Sequence, residues 1–384
     1  MRKRWWLCSA TDFQSLMYPC FICSRILGIF PYKLNASTFE ISKLYCILST
    51  VIICVCCVIN FVIIDSLIES KLSYGDVVWD VYAVLYHTLT SFIVIVTYSL
   101  SVPRMRVLQT ILEVSSKLSL KSYQKLSRLI HVKDIFVNIL RIVQLALNWC
   151  TLREFKGNFL AIVIGVPTIY LALLILQINL LYVNCVCVLK ACFKRINDSL
   201  IHMQSLIIND TNPRASNVLW HKNQCLKIEL KVLKKQHLMI SDAVQMLNMT
   251  FSMQVLTTIV MSILTITFDL YFYAIRWQNG VFFEVDWRSL DVLLTSLMYD
   301  ISKITLFVWA CETGKNQAQA ISTTIHDLLN STSDEKIKCE LQLFSLQVLH
   351  RKNTFSMKGF SIDATLLATV SIRLFVVNIK IFVL

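Results

Sequence analysis

Ionisable side chains interrupt three long apolar stretches of this sequence. Arg141 interrupts one stretch, Asp300 and Lys303 interrupt a second, and Arg373 and Lys380 interrupt the last. Charges at such positions usually face a protein interior or a polar path. Because Asp300 and Lys303 are three residues apart, they can neutralise one another within one turn of a helix. We interpret these two residues as a buried ion pair rather than as a gate.

Residues that could support enzymatic or metal chemistry are scattered. None of the seven histidines stands in an HxxxH or HExxH arrangement, and no nucleophile with a neighbouring base stands out. Cysteines and histidines do not cluster with the spacing of a zinc site. The formal net charge is +13, but no nucleic-acid-binding motif accompanies it. We expect no catalytic residues, no metal, no cofactor and no nucleic-acid partner.

The composition predicts a membrane protein. Hydrophobic residues make up 56% of the chain and charged residues 16%, and a soluble core of this size would not bury so much apolar surface. A helix needs roughly 20 mostly apolar residues to cross the hydrocarbon. The predicted membrane spans are 45–64, 81–102, 135–150, 159–189, 243–268, 292–311 and 364–384. We therefore predict one domain over residues 1–384, an all-α membrane protein with seven transmembrane helices.

The distribution of basic residues predicts the orientation of these helices. The N-terminal segment and the second, fourth and sixth connections hold 28 Lys and Arg, whereas the first, third and fifth connections hold five. Lys and Arg accumulate in cytoplasmic segments. The N-terminus is therefore predicted to be cytoplasmic and the C-terminus extracellular, in the plasma membrane. This is opposite to the orientation of a G-protein-coupled receptor.

This orientation places several aromatic and polar side chains near the outer ends of the helices. Aromatic rings with a few polar groups suit small organic ligands, although Trp and Tyr also form interfacial belts in many membrane proteins. The candidate ligand-binding residues are Tyr82, Tyr86, His87, Gln144, Tyr170, Asp269, Tyr273 and Tyr299.

Two cytoplasmic segments have helical periodicity. In the fourth connection, residues 190–242, leucines recur near helical spacing beside a run of lysines, which predicts cytoplasmic extensions of the fourth and fifth spans. In Glu340–His350, Leu341, Phe344 and Val348 form one apolar stripe. That stripe could pack between subunits or within one subunit.

The last fifth of the chain carries a family resemblance. The run ELQLFSLQVLHRKNTFSMKGFSIDATLL, from Glu340 to Leu367, resembles the C-terminal signature of insect gustatory receptors, which are chemoreceptor channels related to insect odorant receptors. The segment from Cys311 to Leu329 resembles the region after the family's sixth span, and the similarity extends from about Gln236 onward. The signature residues are Gly359, Phe360, Asp363, Leu366 and Leu367.

The resemblance implies a gustatory receptor of sensory neurons. Members of the family are ligand-gated, nonselective cation channels in which four subunits, identical or related, surround a pore lined by the seventh helix. A tastant, a small organic molecule, would bind in the outer half of each subunit. The implied pore and gate residues are Val376, Val377, Lys380 and Val383.

The last helix departs from the family pattern. Val376 and Val377 stand where the family usually has Thr-Tyr, and Val383 and Leu384 stand where it has Gln-Phe. Lys380 would repel cations if it lined the pore, or it could snorkel to the outer interface. Two alternatives remain: a multi-pass transporter, and a receptor subunit that is silent without a partner.

Overall fold

Helices make up almost all of the described structure. The computed structural model describes residues 10–35, 38–69, 77–208, 216–278, 287–351, 353–357, 360–361 and 365. Its helices are α1 (Phe13–Ile26), α2 (Lys43–Ile68), α3 (Val77–Ser99), α4 (Ser101–Ser115), α5 (Leu120–Ile208), α6 (Ser216–Gln278), α7 (Trp287–Ser331) and α8 (Glu335–His350). Its strands are β1 (Tyr32–Asn35), β2 (Thr38–Ile41), β3 (Ser356–Met357) and β4 (Phe360–Ser361).

Six membrane-length apolar segments lie within these helices. They are Lys43–Ile68, Val77–Ser99, Leu120–Arg153, Ile162–Ile208, Asn223–Ala274 and Leu290–Ser331. The first six predicted spans lie in or overlap these segments, which confirms the helical membrane fold. The seventh predicted span, 364–384, lies outside the described residues except for position 365.

Helix α5 folds back on itself and supplies two of these segments. Lys133 Nζ donates a hydrogen bond to Asn184 Oδ1 at 2.6 Å, and Asn184 Nδ2 donates one to Asp134 Oδ2 at 2.8 Å. A straight helix would separate residues 133 and 184 by about 76 Å. The chain therefore reverses between an ascending arm, Leu120–Arg153, and a descending arm, Ile162–Ile208.

The descending arm of α5 is the centre of the bundle. Within its most apolar 18 residues, 94% are buried, against 22% for α2. Helix α2 instead exposes a stripe of apolar side chains spaced three or four residues apart, namely Leu44, Ile47, Val51, Val55, Val58 and Val62. Such a stripe on a helix this apolar is the surface expected to face lipid.

The N-terminal segment packs into the bundle through a capped helix and a tight turn. Helix α1 begins with a capping box in which Asp12 Oδ1 accepts from the Ser15 amide at 2.8 Å and Ser15 Oγ accepts from the Asp12 amide at 3.1 Å. Gly28 follows the helix with φ 67°, a left-handed conformation that favours glycine. The turn leads into the β1–β2 hairpin, in which Tyr32 pairs with Ile41.

The predicted extensions of the fourth and fifth spans are helical. Helix α5 continues to Ile208 and α6 begins at Ser216, so both helices run well beyond the predicted spans. Leu226, Leu230 and Leu233 of α6 are buried in the main core. Hydrophobic packing against neighbouring helices therefore stabilises these extensions.

Helix α8 packs within the same chain. Leu341 and Phe344 are fully buried in the core, and Val348 packs against it. Lys234 donates a hydrogen bond to the Glu340 carboxylate at 2.9 Å, and this contact lowers the pKa of Glu340. Asp334 caps the helix by accepting from the Lys336 amide at 2.8 Å. Of the two predicted roles for the stripe, the structure shows contact within one subunit.

Candidate ligand-binding site

The site lies at one end of the bundle, where three pairs of helical segments are joined. Helix α2 ends and α3 begins at this end, the two arms of α5 meet there, and α6 ends and α7 begins there. Tyr82, Gln144, Asp269 and Tyr299 each lie 5 to 12 residues from that end. At 1.5 Å per residue, these positions are within about 18 Å of the helix ends. By the charge distribution, this is the predicted outer end.

A buried hydrogen-bonded relay joins α5, α7 and α6. Arg141 donates from Nη1 to Gln144 Oε1, and Gln144 Nε2 donates to Ser296 Oγ at 3.1 Å. Ser296 Oγ in turn donates to Asp269 Oδ2 at 2.6 Å. Arg141, Gln144 and Ser296 are 8%, 3% and 5% exposed. We call Arg141, Gln144, Ser296 and Asp269 the outer relay.

An ion pair and an aromatic ring lie beside the outer relay. Lys303 Nζ is 2.6 Å from Asp300 Oδ1, and both residues are buried, so the predicted neutralised pair is present. The ring of Tyr299 is 4.4 Å from the Arg141 guanidinium carbon and 4.8 Å from Lys303 Nζ. One buried aromatic ring therefore contacts two cations, which its π-electrons stabilise.

Aromatic rings of α3 and α6 lie beside the outer relay. We call Trp79, Tyr82, Phe268 and Phe272 the aromatic wall. Trp79 stacks on Phe272 with ring centroids 4.0 Å apart, and Tyr82 lies 4.9 Å from Phe268. The ring of Tyr86 is 6.2 Å from that of Tyr82, and Tyr86 also interacts with Arg141. Tyr86 therefore connects the aromatic wall to the outer relay.

The structure brings together five of the eight predicted ligand-binding residues. They are Tyr82, Tyr86, Gln144, Asp269 and Tyr299, all of which belong to the relay or to the aromatic side chains beside it.

The other three predicted residues make different contacts. His87 Nδ1 is hydrogen-bonded to Asn60 Oδ1 of α2 at 2.8 Å. Tyr170 donates from its hydroxyl to the Leu27 carbonyl at 2.8 Å, and so connects α5 to the turn after α1. Tyr273 is half-buried in α6, one turn beyond Asp269.

The sequence did not predict several residues of the candidate site. It identified Arg141, Asp300 and Lys303 as intramembrane charges but did not assign them to the ligand site. Ser296 was not considered, although it precedes Asp300 by one helical turn and therefore shares its face. Trp79 lies just before the predicted second span and gave no signal of its own.

The predicted pore lies outside the described residues. This applies to Val376, Val377, Lys380 and Val383, and to the signature residues Gly359, Asp363, Leu366 and Leu367. Phe360 is described, and its backbone pairs with Met357 in the β3–β4 hairpin. Within the described ranges, no group of three or more His, Cys, Asp or Glu could hold a metal ion.

Two solved structures share this fold. Both are of the insect olfactory receptor OR5 from Machilis hrabei, one of them in complex with eugenol, and each superposes with a TM-score of 0.73. They are 12% and 13% identical to this chain and cover 96% of it, and the matches include 98% and 97% of their own chains. At this level of identity the likeness shows the fold alone.

Sequence comparison establishes the family. A similar protein, the putative gustatory receptor 28b of Drosophila melanogaster, is 29% identical over 140 residues. That match spans 35% of this chain and only 30% of the relative's length. The sequence profile of the family described as 7tm Chemosensory receptor matches residues 17–375. This chain therefore belongs to the 7tm chemosensory receptor family, which confirms the resemblance found in its C-terminal region.

Proposed function

We propose that this chain is a subunit of a ligand-gated, nonselective cation channel that detects small organic tastants. The proposal rests on the outer relay with its aromatic wall. Arg141, Gln144 and Ser296 are buried, the Tyr299 ring lies against Arg141, and Tyr82 belongs to the wall beside Tyr86. Polar groups convergent on an apolar, aromatic lining are what a small organic ligand requires.

The shared fold supports a small ligand. One of the similar structures is an olfactory receptor in complex with eugenol, a small organic molecule. A receptor of this fold therefore accepts such a compound. In the present chain, a ligand would bind between α3, α5, α6 and α7, where the outer relay lies.

A hydrogen bond between α6 and the segment after α8 supports a coupling between the proposed site and the predicted pore. Helix α6 carries Asp269 of the relay near its C-terminal end and Asn248 near its middle. Asn248 Nδ2 donates a hydrogen bond to the Thr354 carbonyl at 2.8 Å. Thr354 lies two residues before the β3–β4 hairpin, which leads into the predicted seventh helix. A ligand that displaces α6 would move this segment, and the seventh helix would widen a pore at the centre of a tetramer.

The tetramer would consist of four copies of this chain or of this chain and related receptor subunits. The second arrangement accounts for a subunit with Lys380 in the predicted pore helix, because a ring of four lysines would oppose cation entry. Partner subunits without this lysine would dilute the positive charge.

The test is a current recorded without G proteins. The full chain, expressed alone and with candidate partner subunits, is placed in excised membrane patches and exposed to a panel of tastants. We expect ligand-evoked current that reverses near 0 mV in solutions with Na⁺ on one side and K⁺ on the other. Purified protein should also migrate as a tetramer. A monomer that carries no current with any ligand or partner would contradict the proposal.

A further inference from the structure

Among the described residues, no carboxylate is bonded directly to the buried Arg141 guanidinium. Arg141 is 8% exposed, and its described contacts are with Gln144, Tyr86 and the ring of Tyr299. The Asp300 carboxylate, which is paired with Lys303, also acts on the Arg141 charge. Arg141 Nε has no hydrogen-bond partner among the described residues. A buried charge usually has a counter-charge bonded to it, because transfer of an unpaired ion from water costs several kcal/mol.

The two neighbouring carboxylates are already engaged. Asp300 is paired with Lys303 at 2.6 Å, and Asp269 accepts from Ser296 at 2.6 Å. In the part of the chain that the structure describes, neither carboxylate forms an ion pair with Arg141. Two cations contact the Tyr299 ring, and of these Lys303 is the one whose bonded anion lies among the described residues.

From this arrangement we infer that the site takes ligands that carry a carboxylate and an aromatic or apolar body. The carboxylate binds the Arg141 guanidinium end-on, through Nη2 and through Nη1, which Gln144 releases. A bidentate pairing of this kind is the geometry that guanidinium groups favour. The apolar body lies toward Tyr86 and Tyr82, which connect Arg141 to the aromatic wall. This inference rests on the proposed function and names the ligand class of the same site.

Gln144 sets the sensitivity of the site in this arrangement. Its Oε1 accepts from Arg141 in the described state, so an incoming carboxylate must displace it. Removal of this amide leaves the guanidinium free for the ligand. A Gln144→Leu receptor should therefore respond to carboxylates at lower concentration than the wild type, a gain that misfolding would not produce.

The experiment compares carboxylates with their uncharged amides at pH 7.4. The probes are 3-phenylpropanoate, benzoate and octanoate, each matched with its amide, and the readouts are the current in patches and the thermal shift of the purified full chain. In the wild type we expect each effective acid to act at a concentration about tenfold or more below that of its amide, as a charge-assisted hydrogen bond predicts. Arg141→Gln should abolish this preference.

The matched control is Arg128→Gln, the same substitution at an exposed position on the same arm of α5, which should retain the preference. Arg141→Lys keeps the charge and should retain part of the preference for acids.

Three outcomes would overturn the inference: equal potency of acids and amides, acid preference that survives in Arg141→Gln, or no acid that binds at all. Current evoked only by neutral compounds would refute the ligand class and leave the channel intact. Acid-selective thermal shifts without any current would refute the channel and leave the ligand class intact.

Discussion

Ser296 is the residue that connects the two ends of the outer relay. Its hydroxyl accepts from Gln144 of α5 and donates to Asp269 of α6, while Ser296 itself belongs to α7. One oxygen atom thus joins three helices at the predicted outer end. A ligand that alters any of these bonds alters the contact between the helices, which makes Ser296 the most direct test of the site.

Ser296→Ala should destabilise the protein and weaken its response to ligand. The change leaves the Asp269 carboxylate and the Gln144 amide buried without this partner, which costs roughly 1–3 kcal/mol. Thermal unfolding of the purified receptor and the ligand concentration for half-maximal current measure the two effects. The control is Thr295→Ala, because Thr295 Oγ1, among the described residues, donates to carbonyls of its own helix and not to another helix. Equal stability of the two variants would contradict the role assigned to Ser296.

Five of the eight candidate residues chosen from the sequence lie together in the structure, but their contacts could not be predicted. Tyr82, Tyr86, Gln144, Asp269 and Tyr299 were predicted because residue type and depth select aromatic and polar groups near one end of the bundle. Depth does not reveal the direction of a side chain around its helix. This explains why three residues of suitable type, among them His87 and Tyr170, instead contact α2 and the segment after α1.

Among the helices and strands, features encoded in one continuous segment were predicted, whereas features that depend on contacts between distant residues were not. Apolar length predicted seven spans, six of which lie in or overlap the described apolar helices, and leucine spacing predicted the extensions of α5 and α6. Both signals reside in one continuous segment. The β1–β2 hairpin was not predicted. Its position depends on the Gly28 turn and on contacts of Tyr32 and Phe39 with α4, where Tyr32 donates to the Ser101 carbonyl and Gln109 Oε1 accepts from the Phe39 amide. Those contacts join residues about 70 positions apart.

Helix α7 approaches the segment after α8 closely at Gly314, and this contact can be tested by substitution. A Cβ at Gly314 would lie 2.6 Å from Cε2 of Phe355, a ring that is 2% exposed. Gly314→Ala must therefore displace Phe355, which lies between α8 and the β3–β4 hairpin. We expect a loss of about 1–3 kcal/mol, as for other overpacked sites, and faster amide hydrogen exchange in residues 353–357.

The second variant in this test is Phe355→Ala, alone and combined with Gly314→Ala. Removal of the ring costs stability by itself but creates space for the new methyl group. The double variant should therefore be more stable than the sum of the single effects predicts, as for residues in direct contact. Strict additivity would show that Gly314 and Phe355 do not press on one another.

At the scale of the whole molecule, the family and the fold establish a multi-pass receptor of the plasma membrane. The bundle is organised around the descending arm of α5, whose most apolar 18 residues are 94% buried, while α2 presents its apolar stripe outward. The predicted orientation of this bundle rests on the charges of its connections. Residues 190–242 and the segment after α7 are basic and extend from the same end of the molecule, whereas the connections beside the outer relay are poor in Lys and Arg.

The prediction for the whole molecule is that the N-terminus is cytoplasmic and the C-terminus extracellular. In unpermeabilised cells, an epitope tag after Leu384 should bind antibody, and the same tag before Met1 should bind only after permeabilisation. A tag inserted between α5 and α6 provides the internal control, since the basic extensions on both sides should keep it in the cytoplasm. Surface staining of the C-terminal tag would support seven spans and place the relay on the side from which tastants arrive. Staining only after permeabilisation would remove one span, contradict the channel topology, and favour a transporter or a G-protein-coupled arrangement.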